Sequence, residues 1–366
     1  MPVQPAQPLQ MSNDLTILYN KAIGLLKDLI ATPSFSREED NSSAIIRQFL
    51  EANNIKTEQY LYNIWSRNKH FDEAKPTILL NSHHDTVKPN KGYTLDPFSP
   101  IEQDGKLFGL GSNDAGGSLV SLIVTFLHFY ERQDLKYNLL LAATAEEEIS
   151  GNNGVEILLP QLGKIDFGIV GEPTQMQMAV AEKGLMVLDC ISHGRAGHAA
   201  RNEGENSIYK AFQDIEWFKS YQFPKVSELL GPNKMTVTVI ETENKAHNVV
   251  PAFCKFVVDA RVNELYSFEE VIEIIRSNVQ CEVKPRSTRL RSTSISLDHQ
   301  LVKAGLSLER NYYGSPTTSD KALMHFPTLK IGPGDSARSH TADEYIYVEE
   351  IRNGIDLYIK LLGKIL

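Results

Sequence analysis

Cysteine is scarce in this 366-residue chain. The three present, Cys190, Cys254 and Cys281, are odd in number, and none stands in a Cys-x-x-Cys. That argues against a disulfide framework and against a thiolate zinc site, and the three read as small buried apolar residues. Long apolar runs are missing too: none approaches the roughly 20 residues that cross a bilayer. No basic stripe offers a nucleic-acid footprint, since a net charge of −9 comes from acidic and basic residues mixed along the chain. The opening MPVQPAQPLQMSND has no apolar core of a secretory signal and reads as a disordered tail over residues 1–14. A soluble, cytoplasmic protein is the expectation. There is no internal repeat, and the length suits about two domains.

What the chain does have is a series of short apolar runs, each closing on a polar cluster. Thr77-Ile78-Leu79-Leu80 leads into Ser82-His83-His84-Asp85. Asn138-Leu139-Leu140-Leu141 leads into Thr144 and Glu146-Glu147-Glu148, and Phe167-Gly168-Ile169-Val170 into Gly171-Glu172-Pro173. Thr328-Leu329-Lys330-Ile331 leads into Gly332-Pro333-Gly334 and on to His340. Apolar runs without alternation suit strands covered on both faces, as in a parallel sheet between helices. Helical spacing at Leu15–Ile30, Ser42–Asn53 and Ala115–Arg132 supplies the helices. The expected fold is an α/β catalytic domain with a mainly parallel sheet between helices, over residues 15–177 and 292–366. A smaller α+β domain of βαββα pattern interrupts it over residues 178–291, with strands at Met186–Ser192, Lys234–Ile240 and Ala252–Val262 and helices at Ser207–Phe218 and Phe268–Ser277. In α/β sheets ligands bind beyond the carboxyl ends of the strands, so the four clusters can converge on one crevice.

Each cluster has a bland reading beside a chemical one. His83 and Asp85 lie two apart at a strand end, and a metal-bound His usually donates its other ring N–H to a carboxylate; two solvated loop residues would look alike. His84 is the rival ligand. Asp114 before Ala115-Gly116-Gly117 suits a helix N-cap, yet glycines there also permit close backbone approach, and an Asp can bridge two cations with its two oxygens. Three consecutive glutamates make a solvated acidic loop, or they divide the work, with Glu148 a ligand and Glu147 a general base. Glu172 is a turn residue or a ligand, and His340 a loop His or a ligand. Together they give two His and three carboxylates in ligand roles, with Glu147 spare. Such N/O ligands suit zinc, with cobalt or manganese as substitutes.

These motifs in their order resemble the M20 metallopeptidase family, and within it the acetylornithine deacetylase and succinyl-diaminopimelate desuccinylase group. Ser82-His83-His84-Asp85-Thr86-Val87 resembles Gly-His-x-Asp-x-Val. Gly111-Ser112-Asn113-Asp114-Ala115-Gly116-Gly117 and Thr144-Ala145-Glu146-Glu147-Glu148 resemble two further family motifs. Gly171-Glu172-Pro173-Thr174 and the late His340 also match. The departures are Ser82 for Gly, Glu146 for Asp, and Ala115 beside a position where Lys is common.

The resemblance implies two zinc ions per chain, bridged by Asp114. His83 and Glu172 complete one site, and Glu148 and His340 the other. Glu147 is implied as the base, and Asp85 as the group that orients His83. The interrupting domain is implied to be a lid through which the chain forms a homodimer. It carries His198 as a catalytic donor, and Asn248 and Arg261 as residues that bind the substrate carboxylate. The implied activity is hydrolysis of a linear amide in a small N-acyl amino acid. Acetylornithine, in arginine biosynthesis, is the first expectation; acetylcitrulline, succinylornithine or acetyl-lysine deacylation, a dipeptidase, and a non-catalytic metal-binding dimer are the alternatives.

Overall fold

The computed structural model describes residues 8–366. Residues 1–7 of the expected tail lie outside the described residues. From Pro8 the backbone is helical through Ile30, so the first helix begins seven residues before the apolar spacing does. Proline fits the first helical position because its missing N–H would have no partner there.

The chain forms two compact units. One runs up to Val180 and takes in Ile295–Tyr313 and Ser319–Leu366; the other is Ala181–Ser294 with Gly314–Thr318. The return to the second unit at Gly314–Thr318 has no counterpart in the sequence pattern.

The first unit is built on a mixed sheet in the order Glu58–Tyr60, Asn63–Arg67, Asn138–Thr144, Thr77–His83, Phe167–Val170, Thr328–Lys330, Met178–Glu182. The four strands from Asn138–Thr144 to Thr328–Lys330 are mutually parallel. Their flanking neighbours are antiparallel to them. Side chains alternate between the two faces of a strand, which explains the unbroken apolar runs. Ile78 and Leu80 join the core cluster with Leu25 and Leu26 of the first helix, Leu122 and Phe126 of Gly117–Phe129, and Ile355 and Tyr358 of Val348–Gly363. Leu79, between them, is as fully buried but belongs to no part of that cluster.

The second unit is a four-stranded antiparallel sheet in the order Lys234–Thr242, Phe253–Val262, Gly184–His193, Glu282–Pro285. Alternate residues Met186, Leu188 and Cys190 pack with Ala211 and Phe218 of the helix Ser207–Ser220 and with Val271 and Ile275 of the helix Phe268–Arg276. Ser267 and Glu270 cap the latter helix reciprocally, at 3.1 and 2.7 Å, an arrangement that contributes on the order of 1 kcal/mol. The strand Glu282–Pro285 extends the expected βαββα pattern by one element. It is four residues long and ends on proline, too short for a periodic signal. All three cysteines are buried and free. Among the described residues no helix is long and apolar enough to cross a membrane.

Candidate metal centre

The four parallel strands end side by side, and each delivers one of the polar clusters to the same edge of the sheet. His83 is the last residue of Thr77–His83, in register with Thr144 on the neighbouring strand. Glu147 and Glu148 follow Asn138–Thr144, Glu172 follows Phe167–Val170, and His340 lies on the loop beyond Thr328–Lys330. Asp114 enters on the turn Ser112–Gly116 ahead of the helix Gly117–Phe129.

Two groups of ligand atoms result, and Asp114 is in both. One atom from each of His83, Asp114 and Glu172 lies within 4.8 Å of the others, and the same holds for Asp114, Glu148 and His340. Asp114 Oδ1 is 3.4 Å from His83 Nε2, and Oδ2 is 3.7 Å from His340 Nε2. Glu172 Oε1 stands 4.0 Å from His83 Nε2, while Glu148 Oε2 accepts a hydrogen bond from His340 Nε2 at 2.9 Å. Ligands about 2.0–2.2 Å from a tetrahedral ion are themselves roughly 3.3–3.6 Å apart. The two contacts of Asp114, at 3.4 and 3.7 Å, fall near that spacing and beyond the usual hydrogen-bond length, whereas Glu148 and His340 are drawn together into a hydrogen bond.

The chemistry of His83 gives the sharpest test of fit. Its Nδ1 is 3.0 Å from the backbone oxygen of Asp85, so in the neutral ring, the form that binds a metal, the proton sits there and Nε2 presents a lone pair. Nε2 is buried and has no hydrogen-bond partner. An unsatisfied buried polar atom costs about 1–3 kcal/mol, and a divalent cation between His83, Asp114 and Glu172 would satisfy it. Burial opposes a charge on His83, but the Asp114 and Asp85 carboxylates outweigh it and hold the pKa well above its ordinary value. Surroundings that negative hold a cation equally well. Burial lifts Glu172 to about 8 and also raises Glu148, while the Glu148 contact lifts His340 to about 9. The residues therefore fit two cations.

Glu147 differs from its neighbours. It belongs to neither ligand group, and its carboxylate takes part in no hydrogen bond among the described residues. Burial, reinforced by Glu172, Glu148 and Asp320, pushes its pKa well above the usual range. Glu146 turns away, at φ 55°, and accepts from Asn153 Nδ2 at 2.9 Å. His84 also faces elsewhere: Ser42 Oγ is 2.9 Å from its Nδ1 and the Tyr62 carbonyl 3.0 Å from its Nε2. Burial lowers its pKa to about 4.

Asp85 does more than face His83. Its carboxylate is 3.4 Å from His83 Nδ1, farther than its own carbonyl. It accepts from the backbone N–H groups of Glu147 and Glu148 at 3.0 and 3.1 Å, and from Ser36 Oγ at 2.7 Å. One carboxylate thus fixes the histidine's strand end and the acidic loop together. Ser82, where the family motif has Gly, donates to the Gly171 carbonyl at 2.8 Å and ties two of the strand ends.

Two further buried carboxylates carry no motif and escape sequence reading. Glu344 accepts from the backbone N–H groups of Gly111, Asn113 and Asp114 at 3.0, 2.9 and 2.9 Å, which pins the turn that holds Asp114. Asp320 accepts from Asn81 Nδ2 and Thr144 Oγ1 at 3.0 and 2.8 Å. The glycines after Asp114 serve packing of the protein itself: a Cβ on Gly116 would stand 2.4 Å from the Gly111 carbonyl oxygen.

His198, Asn248 and Arg261 belong to the second unit. Gly197–His198 pairs with Val249–Val250, and the Asn248 carbonyl accepts from Ala199 N at 2.9 Å. His198 is exposed, and its Nδ1 accepts from Ala200 N at 3.1 Å. Its neutral ring therefore carries the proton on Nε2. Arg261 is held by Asp259 at 2.8 and 3.0 Å, with Nη1 toward Thr318 Oγ1 at 3.4 Å.

Residues 79–364 match the family described as Peptidase family M20/M25/M40. The succinyl-diaminopimelate desuccinylase of Rickettsia bellii is 24% identical over 372 residues, covering 92% of this chain and 95% of that protein. Among solved structures, an M20 family metallo-carboxypeptidase from Sulfolobus solfataricus aligns with a TM-score of 0.76 at 16% identity, over 94% of this chain and 99% of that one. The YXEP protein of Bacillus subtilis, a dinuclear metal binding peptidase from the M20 family, aligns at 0.71 and 16% identity over 95% of this chain and 99% of that one. The architecture these structures share with the chain is the expected α/β fold with a separate smaller domain.

Proposed function

The chain belongs to peptidase family M20/M25/M40, and from that premise we propose that it is a cytoplasmic two-zinc amidohydrolase that removes the acyl group from an N-acylated amino acid. The observation that carries this reading is the spare carboxylate of Glu147 beside two ligand groups that share Asp114. His83, Asp114 and Glu172 would hold one metal, and Asp114, Glu148 and His340 the other. A metal pair of this kind polarises an amide carbonyl and brings the pKa of water toward 7.

The chain's own residues supply the rest. Glu147 takes the proton of the attacking water and passes it to the leaving nitrogen, so the products are a carboxylate and a free amine. Asp85 holds the backbone of Glu147 and Glu148 in place. The Nε2–H of His198 is the donor for the oxyanion that develops at the attacked carbonyl, and Arg261 and Asn248 receive the substrate carboxylate. A non-catalytic metal-binding protein has no use for the unpartnered Glu147.

For the substrate, the motifs around His83 and Gly332-Pro333-Gly334-Asp335 resemble those of acetylornithine deacetylases, whereas the relative in Rickettsia bellii is a desuccinylase of succinyl-diaminopimelate. The shared chemistry is an acyl group on an amine of a diamino acid. In steady-state assays with acetylornithine, succinylornithine, acetylcitrulline, acetyl-lysine, succinyl-diaminopimelate and simple dipeptides, an acylated ornithine or a close relative should give the highest kcat/KM. Dipeptides with free amines outperforming every acylated compound would sink the deacylase reading.

A homodimer through the second unit is part of the proposal. Tyr209 and Phe212 on the helix Ser207–Ser220 are 70% and 58% exposed, and Val239 and Ile240 on the edge strand Lys234–Thr242 are 48% and 50% exposed. An unpaired edge with exposed apolar side chains beside it is suited to a second copy. His198 then acts on the partner's metal centre. His198→Ala and Glu147→Gln should each be nearly inactive alone, and the mixed dimer should recover toward half of wild-type activity. Verified mixed dimers without recovery would show that His198 does not act across subunits.

A further inference from the structure

Away from the metal cluster, the first unit contains a cavity of about 420 Å³. One wall is the face of the helix Val348–Gly363 that presents Glu350, Asn353, Leu357 and Lys360 at helical spacing. The opposite wall is Gln175, Met176, Arg310 and the Pro333-Gly334 turn. Its charges are unevenly satisfied. Glu350 receives Arg338 Nη2 on its two oxygens at 2.7 and 2.9 Å. Asp356 accepts from the Tyr19 hydroxyl. Arg310 spends only Nε, on the Leu308 carbonyl at 3.2 Å, and neither it nor Lys360 has an ion-pair partner among the described residues. Arg310 and Lys360 therefore face the cavity without a direct ion pair, beside the one lining carboxylate that no cation holds, Asp356; Gln175 and Asn353 add polar groups, and Met176, Pro333 and Leu357 supply its apolar part.

We propose that this cavity is a regulatory site for a small dicarboxylate. Arg310 would take one carboxylate through its free guanidinium edge, which matches a planar oxyanion. Lys360 would take the other as a point charge, and the apolar surface would cover the carbon chain between them. The cavity wall leads physically to the metal cluster. Gln175 lies three residues past Glu172; its Nε2 donates to Asp335 Oδ2 at 2.5 Å and its backbone N to the Gly334 carbonyl at 2.7 Å. Asp335 and Asn113 exchange two hydrogen bonds, at 2.9 and 3.0 Å, and Asn113 immediately precedes Asp114. An occupant that engages the Gln175 wall thus bears on the segments that hold Glu172 and Asp114. An effect on turnover from there requires no overlap with substrate.

The test is calorimetry of the metal-loaded enzyme with succinate, and with inorganic phosphate as the compact anion. Wild type should bind succinate more tightly than phosphate. The double variant Arg310→Gln/Lys360→Gln should lose about tenfold or more in succinate affinity, the scale of a lost charge-assisted hydrogen bond, with kcat and KM unchanged in the absence of succinate. Asn353→Glu, an exposed change that puts a negative charge on the same wall, should weaken binding as well, which guards against a folding artefact in the double variant. His340→Ala, in the metal cluster, should leave this binding intact. With wild type, succinate should change kcat and not KM alone. Undiminished succinate binding in the double variant, equal preference for phosphate, or a purely competitive effect on turnover would overturn the proposal. The calorimetric arm needs no substrate, so its outcome is separable from the reading of the metal centre.

Discussion

Replacing Glu147 by glutamine should lower kcat by about 10²–10⁴-fold, the span associated with loss of a general acid–base group, while metal content stays at the wild-type level. Glutamine keeps the size and shape of the side chain but cannot take a proton. Among the described residues the carboxylate it replaces has no hydrogen bond to lose and is in neither ligand group, so the protein's stability should change little. Glu148→Gln is the contrasting variant. Glu148 is 2.9 Å from His340 and in the second ligand group, so its loss should lower metal content and activity together. Metal analysis beside steady-state kinetics separates the two. If Glu147→Gln lost metal as well as rate, Glu147 would be a ligand and the roles within the acidic run would have to be exchanged.

Dialysis against a chelator should abolish activity, and added zinc should restore it as occupancy returns to about two ions per chain, the stoichiometry of a bridged pair. Loss should run faster at low pH. Metal ligands must be deprotonated to bind, and burial has raised both Glu172, to about 8, and Glu148. Protons therefore compete for these carboxylates increasingly as pH falls through that range. Binding should in turn release protons, measurable by calorimetry in buffers of different ionisation enthalpy. Full turnover by a preparation shown to be metal-free would refute the two-metal reading whatever the substrate.

Much of this was legible in the residues. A run such as Ile78-Leu79-Leu80 encodes its own burial on two faces, since every second side chain meets a different layer. Such a strand must end where polar residues begin, so His83, Glu148 and Glu172 announced themselves by position. Glu344 and Asp320 did not. Their importance lies in being buried beneath backbone N–H groups and strand ends, and nothing in the local sequence distinguishes a glutamate that will be buried from one that will be solvated. The strand Glu282–Pro285 was too short to register, and the helix from Pro8 preceded the apolar periodicity that marks a packed face.

The sequence by itself determined the α/β class, the interruption by a smaller α+β segment, and the identity of the polar clusters, because period and burial are properties of short stretches. Only the tertiary structure decided the order of the strands, in which Asn138–Thr144 lies beside Thr77–His83 and Thr328–Lys330 beside Phe167–Val170. That order is set by how helices and strands pack as a whole, and no short stretch contains it. It put the two oxygens of Asp114 toward two different histidines, turned Glu146 away to Asn153, and left the Glu147 carboxylate without a hydrogen-bond partner among the described residues. Which carboxylate binds and which can move a proton is a matter of ångströms between residues far apart in the chain, and those distances exist only once the whole sheet has formed.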